Sequence, residues 1–158
     1  MKPARRKSKP RMFIARRIML RSHTELYFHL VWATVDRAPM ITPELRGNVY
    51  AAIGAQSKKT ATELLAVGGM PDHIHVLVRL PPTLAVAELA SRLKGASSYV
   101  ARRAAHGSPA FGWQRGYGAF TVSRSVVPHV RAYVLNQEHH HETNDLTPHL
   151  ETTEAPPT

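Results

Sequence analysis

The sequence contains no cysteine among its 158 residues, which excludes disulfide bonds and thiolate metal sites. It also has no apolar run near the roughly 20 residues that a membrane-spanning helix needs. A short apolar stretch at 12–15 is followed by two arginines, which is not the pattern of a signal-peptide core. These absences, with an ordinary hydrophobic fraction of 43%, predict a cytoplasmic protein with one globular domain.

Acidic residues are missing from the first 22 positions, which hold nine Lys or Arg. Residues 142–158 show the reverse pattern, with four acids and no Lys or Arg. The basic segment favours an electrostatic partner such as nucleic acid, although an extension that only adds solubility explains it equally well. We therefore predict a disordered basic arm at 1–22, a folded domain at 23–141 and a disordered polar tail at 142–158.

The alternation of β-prone and helical segments predicts the order β-α-β-β-α-β, followed by a last helix. This is the split βαβ, ferredoxin-like α+β plan, shared with RNA-recognition modules: an antiparallel sheet with two helices on one face and the other face free for a ligand. Thr42, Thr83 and Ser125 are the predicted helix caps. The predicted strands are 25–35, 64–67, 73–80 and 117–123, and the predicted helices are 42–59, 83–105 and 126–140.

Two histidines, His73 and His75, begin the third predicted strand. Side chains alternate across a strand, so both imidazoles point to one face while Ile74 points to the other. Such a pair can bind one divalent ion when both rings are neutral. In a chain with ten histidines the spacing also arises by chance, and two surface histidines on an open sheet are the simpler interpretation of the pair alone.

Tyr133 and Gln137 are four residues apart in the last predicted helix, so they share a face one turn apart. A tyrosine suits phosphoryl transfer, because its phosphodiester link keeps the bond energy and can pass the strand to a new 3′-hydroxyl. A metal ion would polarise the scissile phosphate. For an arbitrary helix, a core tyrosine beside a surface glutamine is the simpler interpretation.

The sequence resembles the small single-tyrosine HUH transposases of the smallest insertion sequences and their REP-associated relatives. The resemblance runs over 24–141, begins with YFHLVWAT, and continues in the family's order through GGMPDHIHVLV, LKGASSYVARR, FGWQRGYGAFTVSRS and YVLNQEHH. It implies that His73 and His75 bind the metal, that Tyr133 is the nucleophile and that Gln137 completes the metal site. A ligand set of nitrogen and oxygen without sulfur suits Mg²⁺ or Mn²⁺.

The resemblance also implies the activity. Such enzymes are metal-dependent single-strand DNA endonucleases and strand-transferases, which cut at hairpin-marked element ends through a 5′-phosphotyrosine and need no nucleotide cofactor. It further implies a homodimer with active sites shared in trans, acting in the cytoplasm at the nucleoid.

Further matched positions are candidates for contacts with DNA, although a solvated helix face or a loop anchored in the core explains them as well. They are Lys94, Ser97, Ser98 and Arg102 in the second helix, Trp113 and Arg115 before the fourth predicted strand, and Tyr117 at its first position. His139, His140 and His141 continue the resemblance and are expected near the metal.

The ending LTPHLETTEAPPT departs from relatives that continue with an aromatic, acidic segment and a further helix. Three alternatives stay open. One is a domesticated REP-associated transposase, and another is a non-catalytic nucleic-acid-binding module with the same sheet. The third is a replication or mobilisation initiator, which usually has a longer chain.

Overall fold

The structure is a computed structural model that describes residues 22–105 and 111–153. Its strands form one antiparallel sheet in the order β2-β3-β1-β4, which confirms the ferredoxin-like plan. The elements are β1 (Tyr27–Ala33), α1 (Pro43–Lys59), β2 (Glu63–Met70), β3 (His73–Arg79), α2 (Val86–Ala104), β4 (Gly118–Val122), α3 (Val127–Leu135), α4 (Gln137–Thr143) and α5 (Pro148–Glu151). Among these described residues, no helix is both long and apolar enough to cross a membrane.

Strand alternation in β3 divides the two layers of the molecule. Ile74 and Val76 belong to the main core, which also contains buried residues of α1 and α2. Leu77 belongs to a second cluster, formed with residues of β2, β4 and α3. His73 and His75 have the same parity as Leu77, so they lie on the second face, as the spacing predicted.

The second sheet face is covered, and the prediction of a free face was wrong. Val130 and Val134 of α3 pack against Ala66 of β2 and Leu77 of β3. The sequence did not reveal this apolar stripe. The helix α3 is only nine residues long and about half of its residues are exposed, so its apolar period is weak. The covering helix carries Tyr133, so the packing of α3 positions the nucleophile candidate.

Gly68 allows this close packing. The strand β2 runs through Gly68 and Gly69 to Met70, whereas the sequence predicted that the two glycines end it. The hairpin turn lies at Pro71 and Asp72, where the sequence also predicted a turn. A Cβ atom on Gly68 would lie 1.9 Å from the carbonyl oxygen of Val134, so only glycine lets the α3 backbone approach the strand.

We expect Gly68→Ala to destabilise the protein by about 1–3 kcal/mol, because backbone atoms must move to remove the overlap. Gly47→Ala is the matched control: a Cβ there meets nothing within 4 Å, and alanine in a helix should stabilise by up to about 1 kcal/mol. Urea denaturation of both variants measures the difference. A Gly68→Ala protein as stable as the parent would contradict the packing of α3 on β2.

Helix boundaries follow the prediction only in part. Thr42 caps α1, accepting a hydrogen bond from the Leu45 N–H at 3.3 Å. Thr83 and Ser125 are not caps, because α2 begins after Ala85 and α3 after Val126, without side-chain capping bonds. The predicted last helix is also interrupted at Asn136, which separates α3 from α4.

The tail is ordered over 142–153, which corrects the expectation of disorder there. It ends α4 and forms α5, and Leu150 and Thr153 are buried. A Cβ on Gly118 of β4 would lie 2.0 Å from the Thr152 carbonyl oxygen, so this segment lies directly on the sheet. The expected basic arm over 1–21 lies outside the described residues.

Candidate metal centre and nucleophile

The two histidines of β3 are buried rather than on an open surface. His73 is 1% exposed and His75 is fully buried. The Nε2 atoms of both rings lie 3.4 Å from the same carboxylate oxygen, Oε2 of Glu151. Both rings therefore direct the nitrogen that is free to bind a metal toward one point.

The other nitrogen of each ring, Nδ1, contacts a neighbouring side chain. Nδ1 of His73 lies 2.6 Å from a carboxylate oxygen of Asp72. Nδ1 of His75 lies 2.9 Å from Nε2 of His29, and the two rings stack at 5.1 Å. Partners of this kind fix the ring orientation and tautomer of a metal-binding histidine, leaving Nε2 available.

The unpaired buried atoms around this point fit a metal ion. Nε2 of His73, His75 and His141 and Oε1 of Gln137 are all buried, and none of them has a hydrogen-bond partner within the described residues. Buried polar atoms are normally paired, and the three imidazole nitrogens all lie within 3.8 Å of Oε2 of Glu151, so they call for a missing partner. Within the described ranges, His73, His75 and Glu151 form a group whose ligand atoms lie within 4.8 Å of one another.

Tyr133 lies beside this group. Its ring is perpendicular to that of His75, with the ring centres 6.0 Å apart. Its hydroxyl donates to Oε1 of Glu151 and accepts from the N–H of Thr147 at 3.3 Å. Burial and the Glu151 carboxylate raise the pKa of Tyr133 to about 12. The phenol therefore keeps its proton unless a positive charge lies beside it.

Gln137 is 2% exposed and is the first residue of α4. Its Nε2 donates to the Tyr133 carbonyl at 3.3 Å, which confirms that the two residues share a face. Oε1 is the buried atom left without a partner, and an amide oxygen can bind a divalent ion. Its predicted role as a ligand stays a prediction.

Three comparisons with known proteins show what this chain is similar to. Residues 22–137 match the family described as "Transposase IS200 like". The chain belongs to this family. It is also 26% identical over 121 residues to the ISDra2 transposase TnpA of Deinococcus radiodurans, covering 72% of this chain and 84% of that protein.

Solved structures share the fold of this transposase. A putative transposase from Deinococcus radiodurans has a TM-score of 0.59 at 24% identity, covering 83% of this chain and 98% of the other. A REP-associated tyrosine transposase bound to a REP hairpin has a TM-score of 0.58 at 15% identity, covering 85% and 74%.

Several residues that were predicted to contact DNA form hydrogen bonds within the transposase chain instead. Lys94 donates to the carbonyl oxygens of Gln114, Arg115 and Gly116 at 2.7–2.9 Å, which uses all three ammonium protons. Ser97 is buried and accepts from the Trp113 indole N–H at 3.0 Å. These bonds hold the loop before β4 against α2, so loop anchoring is the role that the structure supports for these side chains.

The remaining predicted contacts differ in their exposure. Ser98 is buried and accepts from Arg102 at 3.1 Å, while the Arg102 side chain itself reaches the surface. Arg115 is exposed, and Tyr117 packs partly against the main core. Contacts of Arg102, Arg115 and Tyr117 with DNA stay predictions.

Sequence reasoning missed Glu151, the residue on which the site converges. It lies in a polar, proline-containing tail that carries no helical or strand period, so nothing in the sequence indicated its placement. The sequence contained a weak indication that Asp72 belongs to the site, since it directly precedes the histidine pair. It contained a similar indication for His29, which is a histidine inside an otherwise apolar strand. Strand alternation places its side chain on the second sheet face.

Proposed function

We propose that this transposase cuts and rejoins single-stranded DNA at hairpin-marked element ends through a 5′-phosphotyrosine on Tyr133. His73, His75 and Gln137 hold a divalent ion, Mg²⁺ or Mn²⁺. The observation that carries the proposal is the meeting of the Tyr133 hydroxyl and the two inward imidazole nitrogens at a single carboxylate. The non-catalytic alternative gives no reason to bury such a set.

In the cutting step, the Tyr133 oxygen attacks phosphorus, the phenol loses its proton, and the bond from phosphorus to the 3′ oxygen breaks. The departing oxygen takes up a proton and becomes a free 3′-hydroxyl. An incoming 3′-hydroxyl reverses the step and joins a new strand, because the phosphotyrosine has kept the bond energy. A bound divalent ion would polarise the phosphate and favour the ionised phenol.

The DNA class is supported by the family and by charge. One related structure is of a REP-associated transposase bound to a REP hairpin. A net charge of +10, with nine basic residues in the first 22, suits phosphate contacts at the nucleoid. A domesticated REP-associated role would use the same chemistry and the same residues.

The activity test uses single-stranded oligonucleotides with and without an imperfect hairpin from the DNA that flanks the gene. Cleavage is expected with Mg²⁺ or Mn²⁺ on the hairpin strand, and none with excess chelator. The duplex form of the same sequence is the matched control and should stay intact. Equal cleavage by metal-stripped protein in chelator would refute the metal-dependent reaction.

The metal-dependent reaction should also decline as the pH falls toward 6, because protons compete with the metal for the histidines. Burial lowers the pKa of His73, but the carboxylates of Asp72 and Glu151 beside its two nitrogens outweigh this and raise the pKa above the ordinary 6.5. Asp72→Asn removes part of that effect, so the decline should shift to lower pH. Metal affinity at pH 8 should fall about tenfold, since the ring becomes a weaker ligand.

Asp36→Asn is the control for this pH experiment, since Asp36 is an exposed acid in the short 3-10 turn 35–37, next to the Arg37 that pairs with Asp72. It should leave both the pH profile and the metal affinity unchanged. An Asp72→Asn profile that coincides with that of the parent protein would show that the carboxylate does not tune His73.

We also propose the homodimer with active sites shared between chains that the family resemblance implies. Two copies that exchange α3 and the residues after it would form the same contacts between chains as one chain forms within itself. Co-expression of His73→Ala/His75→Ala protein with Tyr133→Phe protein tests this. Sharing predicts that each mixed pair regains one complete site and cleaves DNA. No recovery, with heterodimers demonstrated, would place each site within one chain.

A further inference from the structure

The segment after Tyr133 brings one more imidazole and a carboxylate to the histidines of β3. Glu151 comes from α5, and His141 from the last turn of α4. Nε2 of His141 lies 3.8 Å from Oε2 of Glu151, and its ring centre lies 5.0 Å from that of His73. That Nε2 atom is buried and lacks a hydrogen-bond partner, although part of the ring is exposed.

Three imidazole nitrogens lie around one carboxylate oxygen at distances close to those between ligands of one ion. Three imidazole nitrogens, from His73, His75 and His141, lie 3.4, 3.4 and 3.8 Å from one carboxylate oxygen. In a tetrahedral zinc site with bonds of about 2.0–2.1 Å, neighbouring ligand atoms lie roughly 3.4 Å apart. The distances from Glu151 to His73 and His75 match this spacing, and the ligand atoms of these three residues all lie within 4.8 Å of one another. His141 lies outside that group, but its Nε2 is 3.8 Å from the same carboxylate oxygen.

The docking of the segment is specific. Leu150 is buried, and the N–H of Thr147 donates to the Tyr133 hydroxyl at 3.3 Å. The Thr152 carbonyl lies over Gly118, where any side chain would collide with it. These contacts involve separate parts of the segment, and together they bring Glu151 to the histidines.

We propose that His141 and Glu151 are also metal ligands, adding a third imidazole nitrogen and a carboxylate oxygen to the proposed set of His73, His75 and Gln137. The proposal rests on the proposed metal at the histidine pair and adds the ligand set and the class of ion. Three imidazoles favour a transition ion such as Zn²⁺, Co²⁺ or Mn²⁺ over Mg²⁺, which prefers oxygen ligands and water. Because Glu151 also accepts the Tyr133 hydroxyl through its second oxygen, one carboxylate would link the ion and the nucleophile.

The test measures metal binding to the full chain, purified without a histidine tag and without DNA. Titration calorimetry gives the Zn²⁺ and Mg²⁺ affinities, and the visible absorption of bound Co²⁺ reports its geometry, since tetrahedral sites absorb far more strongly than octahedral ones. His141→Ala and Glu151→Gln are compared with the matched controls His139→Ala and Glu142→Gln, whose side chains are exposed on the same segment. Melting curves of the metal-free proteins check that each variant is folded.

We expect His141→Ala and Glu151→Gln each to weaken Zn²⁺ binding at least tenfold and to reduce the Co²⁺ absorption. Mg²⁺ affinity should change little in His141→Ala and fall in Glu151→Gln, because Mg²⁺ prefers the carboxylate oxygen. Both controls should match the parent protein. The order of affinities alone decides nothing, because most nitrogen sites prefer zinc to magnesium.

Two results are distinguishable. Affinities within twofold of the parent in both variants, together with lost binding in His73→Ala/His75→Ala, would overturn the added ligands and leave the proposed function standing. Binding that persists in the double-histidine variant would overturn both.

Discussion

Tyr133→Phe is expected to abolish the covalent protein–DNA adduct while leaving the affinity for hairpin DNA nearly unchanged. The substitution removes only the attacking oxygen, and the ring keeps its packing beside His75. Loss of the hydroxyl's bonds to Glu151 and Thr147 should change the free energy of unfolding by only about 1 kcal/mol. Denaturing gels with labelled DNA measure the adduct, and gel shifts measure binding.

Tyr117→Phe is the control, since Tyr117 precedes β4 and packs partly against the main core, away from the proposed site. It should still form the covalent adduct. An adduct that survives in Tyr133→Phe and disappears in Tyr117→Phe would reassign the nucleophile.

His73→Ala/His75→Ala is expected to remove both metal binding and strand cleavage, with a loss below detection in each assay. The inward nitrogens of these rings are the centre of the proposed site, and their outer nitrogens are already bonded to Asp72 and His29. His129→Ala is the matched control, because His129 is exposed on α3. Calorimetry and cleavage of the hairpin strand provide the two measurements.

Removing two buried imidazoles also leaves a cavity, so a loss of activity must be separated from a loss of fold. His75→Gln keeps more of the side-chain volume and should bind metal at least tenfold more weakly while remaining folded by circular dichroism. A folded double-histidine variant that still cleaves DNA in a metal-dependent manner would show that the ion lies elsewhere.

The sequence was sufficient to predict the order of strands and helices along the chain and the shared face of His73 and His75, because both follow from local periodicity. Period and position also identified Tyr133 and Gln137 as neighbours on one face, despite the helix break at Asn136. These features depend on spacings of two and four residues, which local geometry determines.

The rest depended on contacts between distant segments. Nothing local to Glu151 indicates that its carboxylate reaches His73, 78 positions earlier in the chain. The sequence predicted that the two glycines of β2 end the strand. In the structure, Gly68 lies inside the strand, and only glycine fits there because α3 lies directly over it. Lys94 looked like a phosphate contact because its carbonyl partners, in the loop before β4, are 20 to 22 residues away.

The central claim is that Tyr133 attacks the DNA strand and holds its 5′ end. Mass spectrometry of the adduct formed on a hairpin strand, after protease and nuclease digestion, tests it directly. We predict a nucleotide joined through its 5′-phosphate to the peptide that contains Tyr133, formed with a divalent ion and absent in chelator, with a free 3′-hydroxyl on the released fragment. A nucleotide on any other residue, or a strand held through its 3′ end, would contradict the account.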